Sequence, residues 1–198
     1  MIKSSFAKHA FCFLLAMVLL LISCSTEKTQ SEIAFHQYKQ KFRILNLPFK
    51  FRPSDLGEAS LKTIDTKDTL FAKNPLSIYY GMLADTTNFY GIVTLLPADD
   101  FIAVLSTYDK QGNFIDSKPL AVRGCSGEPC INYCSSTSII QKDFSIFAID
   151  STFSGECDSL SNPVPGKNSL ACLFWHGKIK PGGKIDIGAE EMKEEKKQ

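Results

Sequence analysis

Between positions 77 and 117 the apolar residues come in short runs rich in Phe, Tyr, Ile and Val, and turn-forming residues separate each run from the next. The runs cover 77–83, 89–96, 101–108 and 114–117, and the connections between them are four or five residues long. Connections this short join antiparallel neighbours, because a parallel crossover needs about a dozen residues or more. We therefore predict an antiparallel meander over residues 77–117.

Two of these runs, 89–96 and 101–105, are apolar on both alternating sides. Strands of this kind lie in the centre of a fold rather than on a sheet that faces water on one side. Further strands are predicted at 42–47, 138–140 and 144–149, followed by a hairpin of 170–179 with 184–187. The predicted fold class is mostly β with little helix, an antiparallel meander forming a sandwich or an irregular barrel.

Composition limits the classes of partner. The 198 residues are 44% hydrophobic and carry a formal net charge of +1, which is typical of one globular domain. A charge so close to zero gives no electrostatic reason to expect a nucleic acid as partner. We predict none.

The first residues form a targeting segment. Lys3 and Lys8 precede a nearly unbroken apolar run over 11–22. A run of this length fits the apolar region of a signal peptide, whereas a spanning helix needs about 20 apolar residues. Residues 1–23 are therefore predicted to be a signal peptide.

The apolar run ends in Leu21-Ile22-Ser23-Cys24. This motif resembles the lipobox of bacterial lipoproteins. The resemblance implies cleavage before Cys24, a diacylglycerol on its sulfur and a further acyl chain such as palmitate on its new amino group. Acyl chains hold a protein on a bilayer without a spanning helix. The implied location is the bacterial cell envelope, and Ser25 after the cysteine favours the outer membrane.

After Cys24 the chain divides into three predicted parts: a lipidated tether over 24–41, a β domain over 42–188 and a charged, solvated tail over 189–198. Within the tether, Thr29 and Glu32 match a capping box, so a short helix with Ile33, Tyr38 and Phe42 on one side is an open alternative. Residues 155–168 contain two prolines and are predicted to be a loop.

Disulfides are the expected chemistry of the remaining cysteines, because a lipoprotein enters an oxidising compartment. Five cysteines remain for this role once Cys12 leaves with the signal and Cys24 is acylated: Cys125, Cys130, Cys134, Cys157 and Cys172. Five thiols cannot all pair within one chain, so the simplest account is two bridges and one odd thiol. The preferred set is Cys157 with Cys172, plus one bridge within the first three.

A metal site is the alternative interpretation of these cysteines. Cys125, Cys130 and Cys134 could hold zinc if Cys157, Cys172 or His176 completed the ligand set. The spacing differs from that of paired zinc knuckles, so disulfides are preferred and no metal or cofactor is predicted.

The motifs of catalysis are missing from the sequence. It has no G-x-S-x-G elbow, and His176 is the sole histidine of the β domain. We therefore predict a membrane-anchored, non-catalytic binding or accessory module that meets an envelope protein, peptide or glycan. Two alternatives stay open: an envelope enzyme, either a carboxylate glycan hydrolase or a Cys/His enzyme using one free thiol with His176, and a metal-binding protein using the cysteine cluster.

Overall fold

Two β-sheets face each other in the computed structural model, which describes residues 29–56, 61–98, 100–122 and 130–197. Their facing side chains form one hydrophobic core that draws on both sheets. The predicted mostly β fold with little helix is confirmed. Of the two predicted architectures it is the sandwich, because the two sheets stay separate.

The first sheet contains the predicted meander. Its strands are β1 at Arg43–Leu45, β3 at Ile78–Leu83, β4 at Tyr90–Leu96, β5 at Ile102–Tyr108 and β6 at Phe114–Pro119, in the order β1-β3-β4-β5-β6. Strand β1 runs parallel to β3, and all other neighbours in this sheet are antiparallel. The antiparallel part confirms the prediction for residues 77–117.

The second sheet contains the three longest strands of the described structure. Its strands are β2 at Phe49–Phe51, β7 at Ile131–Ile140, β8 at Ser145–Cys157, β9 at Pro163–Ile179, β10 at Ile185–Ile187 and β11 at Glu191–Lys197. Their order is β10-β9-β8-β7-β2, with β11 also paired to β9. The loop predicted over 155–168 is therefore wrong in extent, since β8 and β9 leave only 158–162 between them. The segment predicted as a solvated tail forms β11, whose backbone pairs with β9.

Helix α1, Gln30–Lys39, occupies the segment predicted as a tether. Its first turn has the capping box: the Glu32 amide donates to Thr29 Oγ1 at 3.2 Å, and the Thr29 amide donates to Glu32 Oε2 at 2.7 Å. Phe35 and Tyr38 are buried, whereas Ile33 is 41% exposed. The compact unit that contains both sheets begins at Ala34, so it includes most of this helix.

The central strands of the first sheet, β4 and β5, are buried on both faces, which explains why they are apolar on both sides. One face meets the second sheet. The other face lies under an aromatic cluster from α1 and the short helix α2, Thr69–Ala72. The Tyr108 hydroxyl of β5 donates to the Phe71 carbonyl of α2 at 2.7 Å, which ties this layer to the sheet. Two 3₁₀ turns, Pro53–Asp55 and Thr66–Asp68, complete the described helical structure.

Four hairpins use the same turn. In 109–113, 141–145, 158–162 and 180–184, the first amide donates to the fifth carbonyl and the fourth amide donates to the first carbonyl. The fourth residue has a positive φ in each: Gly112, Phe144, Ser161 and Gly183. This is the type I turn with a bulge that three-residue hairpin loops favour. Short-range turn chemistry thus sets the register of the four strand pairs that these hairpins join.

Candidate binding groove between two sheet edges

A cavity of about 880 Å³ lies where edge strand β6 of the first sheet approaches edge strand β10 of the second. Its volume falls within the range of about 300–1,000 Å³ that is usual for ligand sites. We call it the edge groove. Its lining is Ile115, Asp116, Lys118, Pro119, Ala121, Val122, Trp175, Lys184, Ile185, Asp186, Ile187, Gly188 and Glu190.

Strand β10 turns unpaired backbone groups toward this groove. The Lys180 amide donates to Lys184 O and the Gly188 amide donates to His176 O. The backbone groups of successive β10 residues therefore point alternately toward β9 and away from it. Ile185 and Ile187 therefore point their amides and carbonyls away from β9. The Ile185 amide donates to Asp116 Oδ2 at 3.0 Å. Within the described ranges, the Ile187 amide has no such acceptor.

Strand β6 presents a different edge, because its outward donors are already occupied or missing. The Leu120 amide donates to Ala103 O, which by alternation turns Ser117 and Pro119 outward. The Ser117 amide is bound by Asp116 Oδ1 at 2.8 Å, and proline has no amide hydrogen. Asp116 thus binds one amide of each edge, and Pro119 blocks further pairing on β6. Strand β10 is the open edge.

The wall of the groove combines apolar surface with charges of both signs, since Lys118 and Lys184 lie on the same lining as Asp116, Asp186 and Glu190. Trp175 is 5% exposed, and its indole N–H donates to the Ala121 carbonyl at 3.4 Å. Lys118 and Lys184 have no carboxylate within ion-pair distance among the residues that the structure describes. Asp186 is bound by Lys180 at 2.8 Å.

The acidic groups of the groove act as acceptors. The hydrogen bond from Lys180 lowers the pKa of Asp186, so this carboxylate stays ionised and is poorly suited to donate a proton. Asp116 already accepts two amide hydrogens. The geometry therefore favours binding of an extended segment through its backbone over acid–base chemistry.

Sequence reasoning did not identify this groove. Its two edges are far apart in the chain, and no local pattern shows that 114–119 and 185–187 meet. Asp116 and Pro119 were available as signals, since an inward acid and a proline are two devices that protect an edge strand. Their meaning depended on knowing that β6 is an edge.

The predicted cysteine residues lie at one end of the second sheet. Cys130 is bonded to Cys157, Cys134 is also disulfide-bonded, and Cys172 is a free thiol. The expectation that these cysteines form disulfides is thus confirmed, but the preferred pair of Cys157 with Cys172 is wrong, because Cys157 is bonded to Cys130 instead. Cys24 and Cys125 lie outside the described residues.

The register of β8 and β9 explains why Cys157 does not pair with Cys172. Cys172 lies opposite Ser151, and Cys157 lies opposite Pro163. Six residues of β8 separate Ser151 from Cys157, or about 20 Å at the usual rise per residue. A disulfide needs Cα atoms within about 7 Å. Cys130, next to the start of β7, is 5.9 Å from Cys157 by Cα and is the partner within reach.

The same geometry weighs against the two cysteine-based alternatives. Zinc needs free thiolates, and Cys130 and Cys134 are both in disulfides. In the described ranges, no three His, Cys, Asp or Glu residues group as metal ligands would. Cys172 and His176 are four residues apart on one strand, which is about 13 Å, so they do not form a dyad. His176 instead packs on Phe147, with ring centroids 4.9 Å apart.

No helix within the described ranges has the length and apolarity that crossing a bilayer requires. Comparison with known proteins gives no match to a family model, to a curated protein or to a solved structure.

Proposed function

We propose that the chain is a lipid-anchored, non-catalytic binding module of the bacterial cell envelope, and that the edge groove takes up an extended acidic segment of another envelope protein. The segment adds as a strand to β10. Strand addition uses main-chain hydrogen bonds for affinity and side-chain pockets for selectivity.

The open edge of β10 is the observation that supports this proposal. The Ile185 carbonyl and both backbone groups of Ile187 point into the groove, and no residue that the structure describes binds them, so they offer three main-chain hydrogen bonds. Asp116 and Pro119 restrict the opposite edge, so an added strand pairs with β10 alone. Lys118 and Lys184 favour carboxylates on that strand, and Trp175 and Val122 offer apolar surface to its other side chains.

The anchor rests on the lipobox resemblance at Leu21-Ile22-Ser23-Cys24. An acylated Cys24 would hold the β domain on the membrane, where it meets other envelope proteins by lateral encounter. A mass spectrum of protein from the membrane fraction tests it. A species that starts at Cys24 and carries acyl mass supports the anchor, and an unmodified mature chain contradicts it.

Two pentapeptides test the groove with the full chain in detergent. One alternates glutamate with valine and the other lysine with valine, both with blocked ends. We expect the acidic peptide to bind at least about tenfold more tightly by calorimetry, because its carboxylates meet Lys118 and Lys184. The amide resonances of Ile185, Ile187 and Lys118 should shift on binding.

Variants of the groove locate the binding. Ile187→Pro removes the outward amide without breaking a bond to β9, and should weaken the acidic peptide at least about tenfold. The double change Lys118→Glu and Lys184→Glu should reverse the preference between the peptides. Lys50→Glu, at an exposed position of β2 on the opposite edge, is the matched control and should bind like the wild type. Equal binding of both peptides, or none, would overturn the proposal.

A further inference from the structure

A second cavity, of about 560 Å³, lies at the other edge of the first sheet, near β1 and β3. We call it the tyrosine cavity. It is separate from the edge groove in every lining residue, so its function does not depend on the one proposed above. Its lining is Lys41, Arg43, Asp55, Leu56, Leu61, Lys62, Tyr79 and Tyr80.

A β-bulge brings two consecutive tyrosines to this cavity. In the pairing of β3 with β4, Tyr79 lies opposite Thr94 and Gly81 lies opposite Val93, which leaves Tyr80 as the extra residue. Successive residues of a regular strand point to opposite faces, and a bulge re-aims one of them. Tyr80 packs against Phe51 at 5.6 Å between ring centroids, so its ring is held in place.

The lysines of the cavity are neutralised by the protein itself. Lys41 binds Asp65 at 2.7 Å and also binds Asp68, and Lys62 is 3.9 Å from Asp65. The hydrogen bond from Lys41 lowers the pKa of Asp65. These two lysines and two aspartates balance in charge. Burial raises the pKa of Tyr79, whose hydroxyl therefore stays protonated and donates to Asp68.

Arg43 is a cation of the cavity that lies outside this ion-pair network. Its guanidinium carbon lies 4.3 Å from the ring centroid of Tyr80, and no carboxylate within the described ranges forms an ion pair with it. A guanidinium held over a ring in this way can still donate its N–H groups to a planar oxyanion. Asp55, on the same lining, offsets the charge of Arg43 over the cavity as a whole, so attraction for an anion is confined to the vicinity of the guanidinium and a single carboxylate is favoured over a multiply charged ligand.

We infer that the tyrosine cavity binds a small monoanionic carboxylate with an apolar body, of the class of an N-acylated apolar amino acid. The carboxylate pairs with Arg43. The body lies on Tyr80 between Leu56 and Leu61, which supply the apolar wall. This site needs neither the lipid anchor nor the open edge of β10.

Two probes that differ in one group test the inference. N-acetyl-phenylalanine has the carboxylate, and N-acetyl-phenylalaninamide has the same body without the charge. Each is titrated by calorimetry into the full chain in detergent. We expect the acid to bind at least about tenfold more tightly than the amide, since a charge-assisted hydrogen bond contributes that much or more.

Two substitutions and a control assign the effect to Arg43. Arg43→Gln should remove the preference for the acid, and Arg43→Lys should retain part of it, because lysine keeps the charge but lacks the planar fork. Arg52→Gln removes an exposed arginine outside the cavity lining and should leave binding unchanged. Arg43 is itself exposed, so these variants should fold, and an unchanged thermal midpoint would verify that.

Binding of the acid and the amide with equal affinity would overturn the inference. So would a preference for the acid that survives in Arg43→Gln, or no binding of either probe. Pentapeptide binding in the edge groove provides an independent readout, since it should be the same in wild type and Arg43→Gln. The two proposals can therefore fail separately.

Discussion

Strands β8 and β9 run through the sandwich and continue beyond it to the far end of the second sheet, and the two regions differ in how much of their surface is buried. In the sandwich, alternate residues of β8 are buried as far as Asp150. Beyond that point β8 and β9 continue through 151–157 and 163–174, and none of residues 151–157 is buried. We call this part, together with the paired β7 residues and β11, the extension. The strands of the first sheet are only three to seven residues long and do not reach along it.

The two regions are stabilised by different interactions. The sandwich gains its free energy of folding mainly from buried apolar area, in proportion to the area removed from water. The extension buries little, and relies on backbone pairing and on the disulfide of Cys130 with Cys157. A crosslink stabilises mainly by restricting the unfolded chain, so it can act where a core is thin.

Equivalent leucine truncations should give the largest contrast. Leu105 of β5 is fully buried, and Leu170 of β9 is half-buried in the extension. We expect Leu105→Ala to lower the free energy of unfolding by about 2–5 kcal/mol. Leu170→Ala should cost about 1 kcal/mol or less. Urea unfolding of the two variants measures both, and equal losses would show that the extension has a core of its own.

Removing the crosslink should affect the extension first. Replacing Cys130 and Cys157 with serine opens a connection of 27 residues, which corresponds to about 3.5 kcal/mol in the chain-entropy model. Hydrogen exchange should then speed up at Gly155, whose amide donates to the Cys130 carbonyl, while Ile92 in β4 stays protected. Cys172→Ser is the control, because it removes a thiol without removing a bridge. Uniform loss of protection would contradict the division into two regions.

The hairpin turns provide the smallest and most local test. Ser161 in the extension has φ 63°, and Gly183 at the same turn position in the sandwich has φ 83°. Ser161→Gly should stabilise by about 0.5–1 kcal/mol, because glycine adopts this conformation without a steric penalty. Gly183→Ala should destabilise by about 1 kcal/mol or more, since its Cβ would lie 2.7 Å from Ile115 Cδ1. Thermal unfolding measures both, and a destabilised Ser161→Gly would contradict the turn argument.

The two proposed sites differ in how the first sheet ends. At β6 the outward donors are bound or missing, and the neighbouring β10 offers the open edge. At β3 a bulge places two tyrosines beside an arginine. One edge therefore suits an extended chain, and the other suits a small anion.

Much of the architecture was predictable because it depends on neighbours in the chain. Short connections required antiparallel pairing over 77–117, and the structure has it. The capping box of Thr29 and Glu32 forms within a single helical turn, which is why the motif was readable before the fold was known. Turn residues in 109–113 and 180–184 likewise marked two of the hairpins.

What the tertiary structure decided depends on residues far apart in sequence. The partner of Cys157 followed from the register of three strands, and the free thiol of Cys172 followed with it. Phe35 and Tyr38 lie in the segment predicted as a tether, but in the structure they are buried against the first sheet. The edge groove exists only because β6 and β10 meet. Local chemistry determines which segments become strands and turns, whereas pairing, burial and clefts arise from contacts that no stretch of sequence contains by itself.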